Sequence, residues 1–342
     1  MAFFGTFPNI RIRKISVAVP SSKVSNQDFE SCVGGEGIAK FEKMTGIKAR
    51  RHVIKMTTSS LAVRAGERLF EEGDVPKDSI GAVIYLSQTP DYQLPATACE
   101  IQNALGLPTD MVAFDVNLGC SGFVCGLWQA GTILASGACK RVLFLGGDTL
   151  SRCVAGDDHA NKMLFGDAGF ACIVEADGND GQPLSWLLGT DGSGAHVISA
   201  GRRGGAVSCN GHAVADTFLH MDGLEVFNFT TSVVPSALRT FAEKSGQALD
   251  SFDAYCFHQA NKFILKQMAM LSGFPARKLL YSIEDFGNTS SASIPLTLCA
   301  NREKNPSKTL MAGFGVGLSW GIVSYDFVST QLMPVEEVED VA

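Results

Sequence analysis

Three short stretches hold the side chains that could do chemistry. Residues 117–126 read "NLGCSGFVCG" and set Cys120 between Gly119 and Gly122, after the apolar run "MVAFDV" and ahead of a helical stretch. A thiol at a helix N-terminus meets the positive end of the macrodipole and unpaired backbone N–H groups, both of which favour the nucleophilic thiolate. The flanking glycines leave room for a sharp turn and for close approach of a substrate. "AYCFHQANKF" places His258 directly after an apolar strand, and "IEDFGNTSSASIPLTL" places Asn288 in a Gly-Asn-Thr-Ser turn before a helix. A neutral imidazole and a carboxamide can each donate a hydrogen bond to a developing oxyanion without adding negative charge. Each of these two also has a plain structural reading, a core histidine and a common turn dipeptide. Together with Cys120 they make one nucleophile and two donors, each at the end of an apparent element. Cys125, Cys139, Cys153, Cys172, Cys209 and Cys256 read as structural thiols, because a free cysteine is more often buried than reactive.

The elements that must position these groups are legible as apolar runs. "IGAVIYLS" (80–87) and "KRVLFLGGD" (140–148) are apolar at consecutive positions, as strands are when helices cover both faces of a sheet. Between them, Gly122, Gly126 and Ala130 line one face of a helix at i, i+4, i+8, a spacing suited to close packing against another helix. Strand alternating with helix predicts a layered α/β architecture. The two halves echo each other. Residues 57–85 and 230–257 both run Thr-Thr-Ser, amphipathic helix, polar linker with Asp-Ser, apolar strand, and "VLFLGGD" finds its counterpart in "TLMAGFGVG". A real repeat would bring corresponding strand ends together at one pseudo-symmetric cleft.

Composition narrows the function classes. The 342 residues are 46% hydrophobic and 18% charged, ample for a large core. No apolar run is uninterrupted enough to span a bilayer, and the N-terminus has its apolar residues ahead of its basic ones, the reverse of a secretory signal. Ten cysteines without paired CxxC spacing fit reduced thiols in a cytoplasmic protein. A net charge of −7 argues against nucleic acid as the main partner. The final "PVEEVEDVA" is acidic and aperiodic, and reads as a solvated tail. "GFGVGLSWG" is glycine-rich but does not open a helix as a dinucleotide fingerprint does.

The motifs "DVNLGCSGFVCGL", "FHQAN", "FGNTSSASIPLTL" and "GFGVGLSWG" resemble the signature stretches of the ketoacyl synthase III family, 3-oxoacyl-[acyl-carrier-protein] synthases of the thiolase-like superfamily. "TGIKARRHV", "LPATACEIQNALGL", "LFGDAGFACIV" and "HMDGLEVFNF" extend the similarity in the same order from about Ile12 to Phe327. The resemblance implies a duplicated αβαβα fold with two mixed five-stranded sheets. Its expected division is residues 1–180 carrying the nucleophile, 181–330 carrying histidine and asparagine, and 331–342 as the acidic tail. It implies Cys120, His258 and Asn288 as catalytic residues, with backbone N–H groups of Cys120 and the Gly315–Val316 segment as a second oxyanion hole. Leu94 and Phe165 would shape the acyl pocket, Leu94 across a homodimer interface, while Asn261 and Lys262 would meet the pantetheine or carrier. The implied reaction is a ping-pong decarboxylative condensation of a Cys-bound acyl group with a malonyl thioester, needing no metal or other cofactor.

Other residues depart from the family pattern. Lys40, Met44 and His159 occupy positions where primer-loading members hold the adenine of coenzyme A, and Phe263 stands where a basic carrier-docking residue is common. Lys262, Lys266, Arg277 and Lys278 remain as a candidate basic patch. The departures favour a carrier-bound or longer acyl donor over acetyl-coenzyme A. Two other readings are an acyltransferase that passes the acyl group from Cys120 to a non-malonyl acceptor and a non-catalytic partner subunit, the latter disfavoured because all three site residues are present.

Overall fold

The computed structural model describes residues 2–177, 181–200 and 218–340. The expected structural Cys209 lies outside the described residues. Nine strands carry the architecture: β1 (Phe3–Pro20), β2 (Ala82–Leu86), β3 (Val112–Val116), β4 (Arg141–Asp148), β5 (Ala168–Ala176), β6 (Gln182–Thr190), β7 (Ala254–Phe257), β8 (Lys308–Gly315) and β9 (Ser319–Asp326). Their order across the sheet is β7-β8-β9-β6-β1-β5-β4-β2-β3. The long β1 joins two parts: Ile10–Ala18 pair antiparallel with β5, and Phe3–Phe7 pair antiparallel with β6. Either side of that junction the connectivity repeats. β2 and β4 run parallel and β4 and β5 antiparallel in the first part, just as β7, β8 and β9 do in the second. Among the described residues, the second part continues beyond β7 as a bridge from Tyr255 to Leu279.

Side-chain alternation shows how the layers stack. On β2, Ala82, Ile84 and Leu86 enter one cluster, and Val83 and Tyr85 enter another on the opposite face. On β7, Ala254 and Cys256 share the first cluster, while Tyr255 and Phe257 face a third. The shared cluster is filled from α2 (Gly122–Ala135) and α5 (Ser293–Ala300), through Phe123, Val124, Leu127, Ile294, Leu296 and Leu298. The outer clusters are covered by α1 (Thr58–Phe70) on one side and by α3 (Gly223–Ser245) with α4 (Lys262–Ser272) on the other. Helix, sheet, helix, sheet, helix: the central strands β2, β4, β5 and β8 are buried nearly end to end because both faces are covered.

Three expectations need correction. The small face of α2 meets sheet side chains rather than another helix; a Cβ on Gly126 would lie 2.1 Å from the Phe144 ring. A helix seated between two sheets reaches aromatic side chains first, and glycine lets its backbone settle on them. The second Thr-Thr-Ser does not start its helix as Thr57 does. α3 already begins at Gly223, capped by Asp222, and Thr230 and Thr231 donate back to Phe227 O. Finally, the acidic C-terminus is not a free tail. Gln331–Leu332 and Glu336–Val338 pair in parallel with β1, Glu337 meets Arg51, Glu336 meets Arg64 and Arg68, and Asp340 accepts from the N–H groups of Ile54, Lys55 and Met56. Its acids find cations and unpaired N–H groups that a sequence reading cannot put beside them.

Candidate active site

Cys120 is 8% exposed and sits in the turn before α2, where Gly122 N–H donates to Gly119 O at 2.7 Å. The opposing wall is the end of β8. Gly315 has φ +154°, and a Cβ there would lie 2.7 Å from Cys120 Cβ and 2.9 Å from Sγ, so no other residue fits against this cysteine. The helix start does not make the resting thiol acidic. Burial pushes it up to about 11, and the nearby negative charge of Asp148 adds to that. The Ser290 hydroxyl, 3.9 Å from Sγ, and the N–H groups of Val316 and Cys120 pull weakly the other way. The expected thiolate is therefore a thiol at rest, because lost hydration outweighs the helix end.

His258 follows β7, its main-chain N–H donating to Ala312 O of β8 at 2.8 Å. Its Nδ1 lies 2.7 Å from Ser293 Oγ at the start of α5, and its ring stands edge-on to Phe314. Burial pulls its pKa down to about 3, which keeps the ring neutral. Asn288 comes from the second half of the chain but bonds to the first. Its N–H donates to Leu164 O at 2.9 Å and its carbonyl accepts from Gly166 N–H at 3.0 Å. Its Oδ1 accepts from Ser290 N–H at 2.9 Å, which leaves Nδ2 as the free donor.

These three residues line one cavity of about 1010 Å³ together with Phe165, Asn261, Gly315 and Val316. Asn261 spends its side-chain oxygen capping α4 through Ile264 N–H at 2.7 Å. Lys262 is not brought to this cavity: it lies over the Tyr281 ring at 5.3 Å and 4.0 Å from Glu284. Leu94, expected to act across a homodimer interface, is 84% exposed. Cys153, read as structural, is part of the wall. Sequence reasoning missed Ser290, which touches Cys120 and fixes the Asn288 amide, and Gln88 and the Thr58–Thr89–Thr149 hydroxyl cluster of the polar wall. The doubled serine in "GNTSSAS" was a visible signal; the threonines come from three separate segments and gave none. Among the described residues no group of His, Cys, Asp and Glu is arranged to hold a metal ion, and no helix is long and apolar enough to cross a membrane.

A layered, internally repeated α/β fold with a buried cysteine, histidine and asparagine around one cavity defines the thiolase-like class of condensing enzymes. Residues 114–192 match the family described as 3-oxoacyl-[acyl-carrier-protein (ACP)] synthase III, and residues 242–327 match its C-terminal counterpart. The beta-ketoacyl-[acyl-carrier-protein] synthase III of Streptococcus equi subsp. zooepidemicus is 32% identical over 91% of this chain and 97% of its own. The chloroplastic enzyme of that name from Arabidopsis thaliana is 36% identical over 89% of this chain and 79% of its own. In structure, the 3-oxoacyl-(acyl-carrier protein) synthase from Burkholderia xenovorans superposes with a TM-score of 0.92 at 34% identity, covering 98% of this chain and 99% of that one. The chain belongs to the 3-oxoacyl-[acyl-carrier-protein] synthase III family and is an acyl-transferring condensing enzyme.

Proposed function

We propose that Cys120, His258 and Asn288 carry out a decarboxylative Claisen condensation. The observation behind this is that all three line one cavity, with Ser290 touching both the sulfur and the asparagine amide. Cys120 attacks the carbonyl of an acyl thioester. Its proton leaves in the same step, since the resting group is a thiol, and the departing thiol of the donor takes one up. A malonyl thioester then loses CO₂, and the pair from the broken C–C bond becomes an enolate. His258 Nε2–H, with Ser293 donating to Nδ1, and Asn288 Nδ2–H stabilise that oxygen. The enolate carbon attacks the acyl-cysteine carbonyl, whose oxyanion is received by the N–H groups of Cys120 and of the Gly315–Val316 segment. Collapse expels the sulfur, which is reprotonated, and releases a 3-oxoacyl product. Asn261 is available to the pantetheine arm, Phe165 bounds the acyl chain, and Lys262 stands outside the mouth where a carrier protein would approach.

The malonyl group in this reading arrives on a carrier protein. Met44 is 58% exposed and Lys40 is exposed, with no aromatic platform for an adenine at either, which supports a carrier-linked or longer primer. Transacylation from acetyl-coenzyme A should be slower than from such donors, and equal or faster loading would remove that part of the reading. The exposed Leu94 supports a homodimer in which each copy completes the other's acyl pocket, measurable as molar mass in solution. The working division is 1–180 for the nucleophile and 181–330 for the donors, in a cytoplasmic enzyme. Intact-mass measurement with a panel of acyl thioesters is the decisive test. The parent should gain one acyl mass and release CO₂ on adding malonyl thioester, and Cys120→Ala should gain none. Acyl transfer without CO₂ would sink the condensation.

A further inference from the structure

Asp148 closes β4 and is wholly buried, with no cation beside it among the described residues. A carboxylate in such a place is costly unless its oxygens are saturated with donors. Here they are. Oδ1 accepts from Gln88 N–H at 2.7 Å and from the Ser87 hydroxyl at 3.4 Å, and Oδ2 accepts from Ser291 N–H at 3.2 Å and Ser291 Oγ–H at 2.7 Å. The side chain thus ties the ends of β2 and β4 to the loop that carries Asn288. It does not line the cavity, and its charge works against ionisation of Cys120, so it does not serve the nucleophile.

What it holds is a loop under backbone strain. Ser290 has φ +48°, a left-handed conformation unfavourable for a residue with a Cβ. On one side Asn288 is anchored through its main chain to Leu164 and Gly166; on the other Ser291 is anchored to Asp148. Between these anchors Ser290 N–H points at Asn288 Oδ1 and Ser290 Oγ at the Cys120 sulfur. If the Ser291 anchor is lost, Ser290 can relax to an ordinary conformation. The Asn288 amide then loses the contact that turns its nitrogen to the cavity.

We propose that Asp148 is a positioning residue for the enolate-stabilising donor: through Ser291 it holds Ser290 in the conformation that orients the Asn288 amide. The inference rests on the condensing role of Asn288 given above and adds to it a device that spans both halves of the chain. Asp148→Asn keeps the size of the side chain but replaces one acceptor with a donor. It should lower malonyl decarboxylation by about 10²-fold, the loss expected when a donor is displaced by roughly an ångström. Acylation of Cys120, read by intact mass, should fall far less, because its backbone donors are unmoved and loss of the Asp148 charge eases its ionisation while loss of the Ser290 contact works the other way. Ser291→Ala, which removes one of the bonds and is the milder variant should Asp148→Asn not fold, should lower decarboxylation by about tenfold. The double variant should be no worse than Asp148→Asn alone.

Decarboxylation measured in a Cys120→Ala background isolates the donors from the nucleophile and should fall by the same factors. Equal losses in acylation and decarboxylation would overturn the proposal, since that is what a merely structural carboxylate gives. So would unchanged decarboxylation in both variants. If the unmodified enzyme releases no CO₂ at all, the condensation reading itself has failed, a result distinct from any of these.

Discussion

Cys120 and His258 are both buried, and burial acts on them with opposite signs. It disfavours the charged form of each, so the thiol rises to about 11 and the imidazole falls to about 3. In the free enzyme the nucleophile is therefore mostly protonated near pH 7. Its alkylation rate should climb with pH through 8 and 9 without a plateau, checked with iodoacetamide and peptide mass mapping. A plateau below pH 7 would show a thiolate at rest. His258 stays neutral down to about pH 4, so acid loss of activity above that pH should not track an imidazole. Asn288→Ala should leave Cys120 acylation nearly intact and reduce condensation by roughly 10²–10³-fold, as removal of one oxyanion donor does. Single-turnover mass measurements separate the two steps.

The strand–turn–helix units explain why these groups stand where they do. α2 can sit between the two sheets because glycine faces Phe144, and that depth brings its first turn against β8 and Gly315. The C-terminal segment stabilises the opposite side. Asp340 is partly exposed. Burial alone would raise its pKa, but the N–H groups of Ile54, Met56 and Lys55 outweigh that and leave it lowered. A lowered folded-state pKa means its contribution is present above the usual carboxylate value of about 4 and disappears as pH falls through the folded value. Asp340→Ala should cost about 1 kcal/mol at neutral pH, a loss comparable to that of a helix cap and limited by solvent screening. The same substitution should cost progressively less as pH falls below the usual carboxylate value, as a series of urea melts at decreasing pH would show. Arg51, Arg64 and Arg68 were visible in the sequence, as were Glu336 and Glu337, but nothing local says that residues almost three hundred positions apart pair.

At the scale of the whole molecule, the shared cluster draws on both halves, from Ile84 and Phe144 to Met311 and Val323, and β1 belongs to both parts of the sheet. Each half also has an outer cluster of its own, and the shared cluster together with β1 is what couples the two. Thermal unfolding should be one cooperative transition with matching calorimetric and van't Hoff enthalpies, and two resolved transitions would contradict a common core. The amino-acid sequence alone determined the strands, the helix after Cys120 and the internal repeat, and it singled out Cys120, His258 and Asn288, which the fold brings to one cavity, because periodicity, turn chemistry and motif are local. It also led to the wrong ionisation for the cysteine and a free tail for the C-terminus. Burial, the long-range pairing with β1, and the Asp148–Ser291 link exist only once distant segments meet. Desolvation and hydrogen bonding depend on neighbours in space, and only the tertiary structure supplies those.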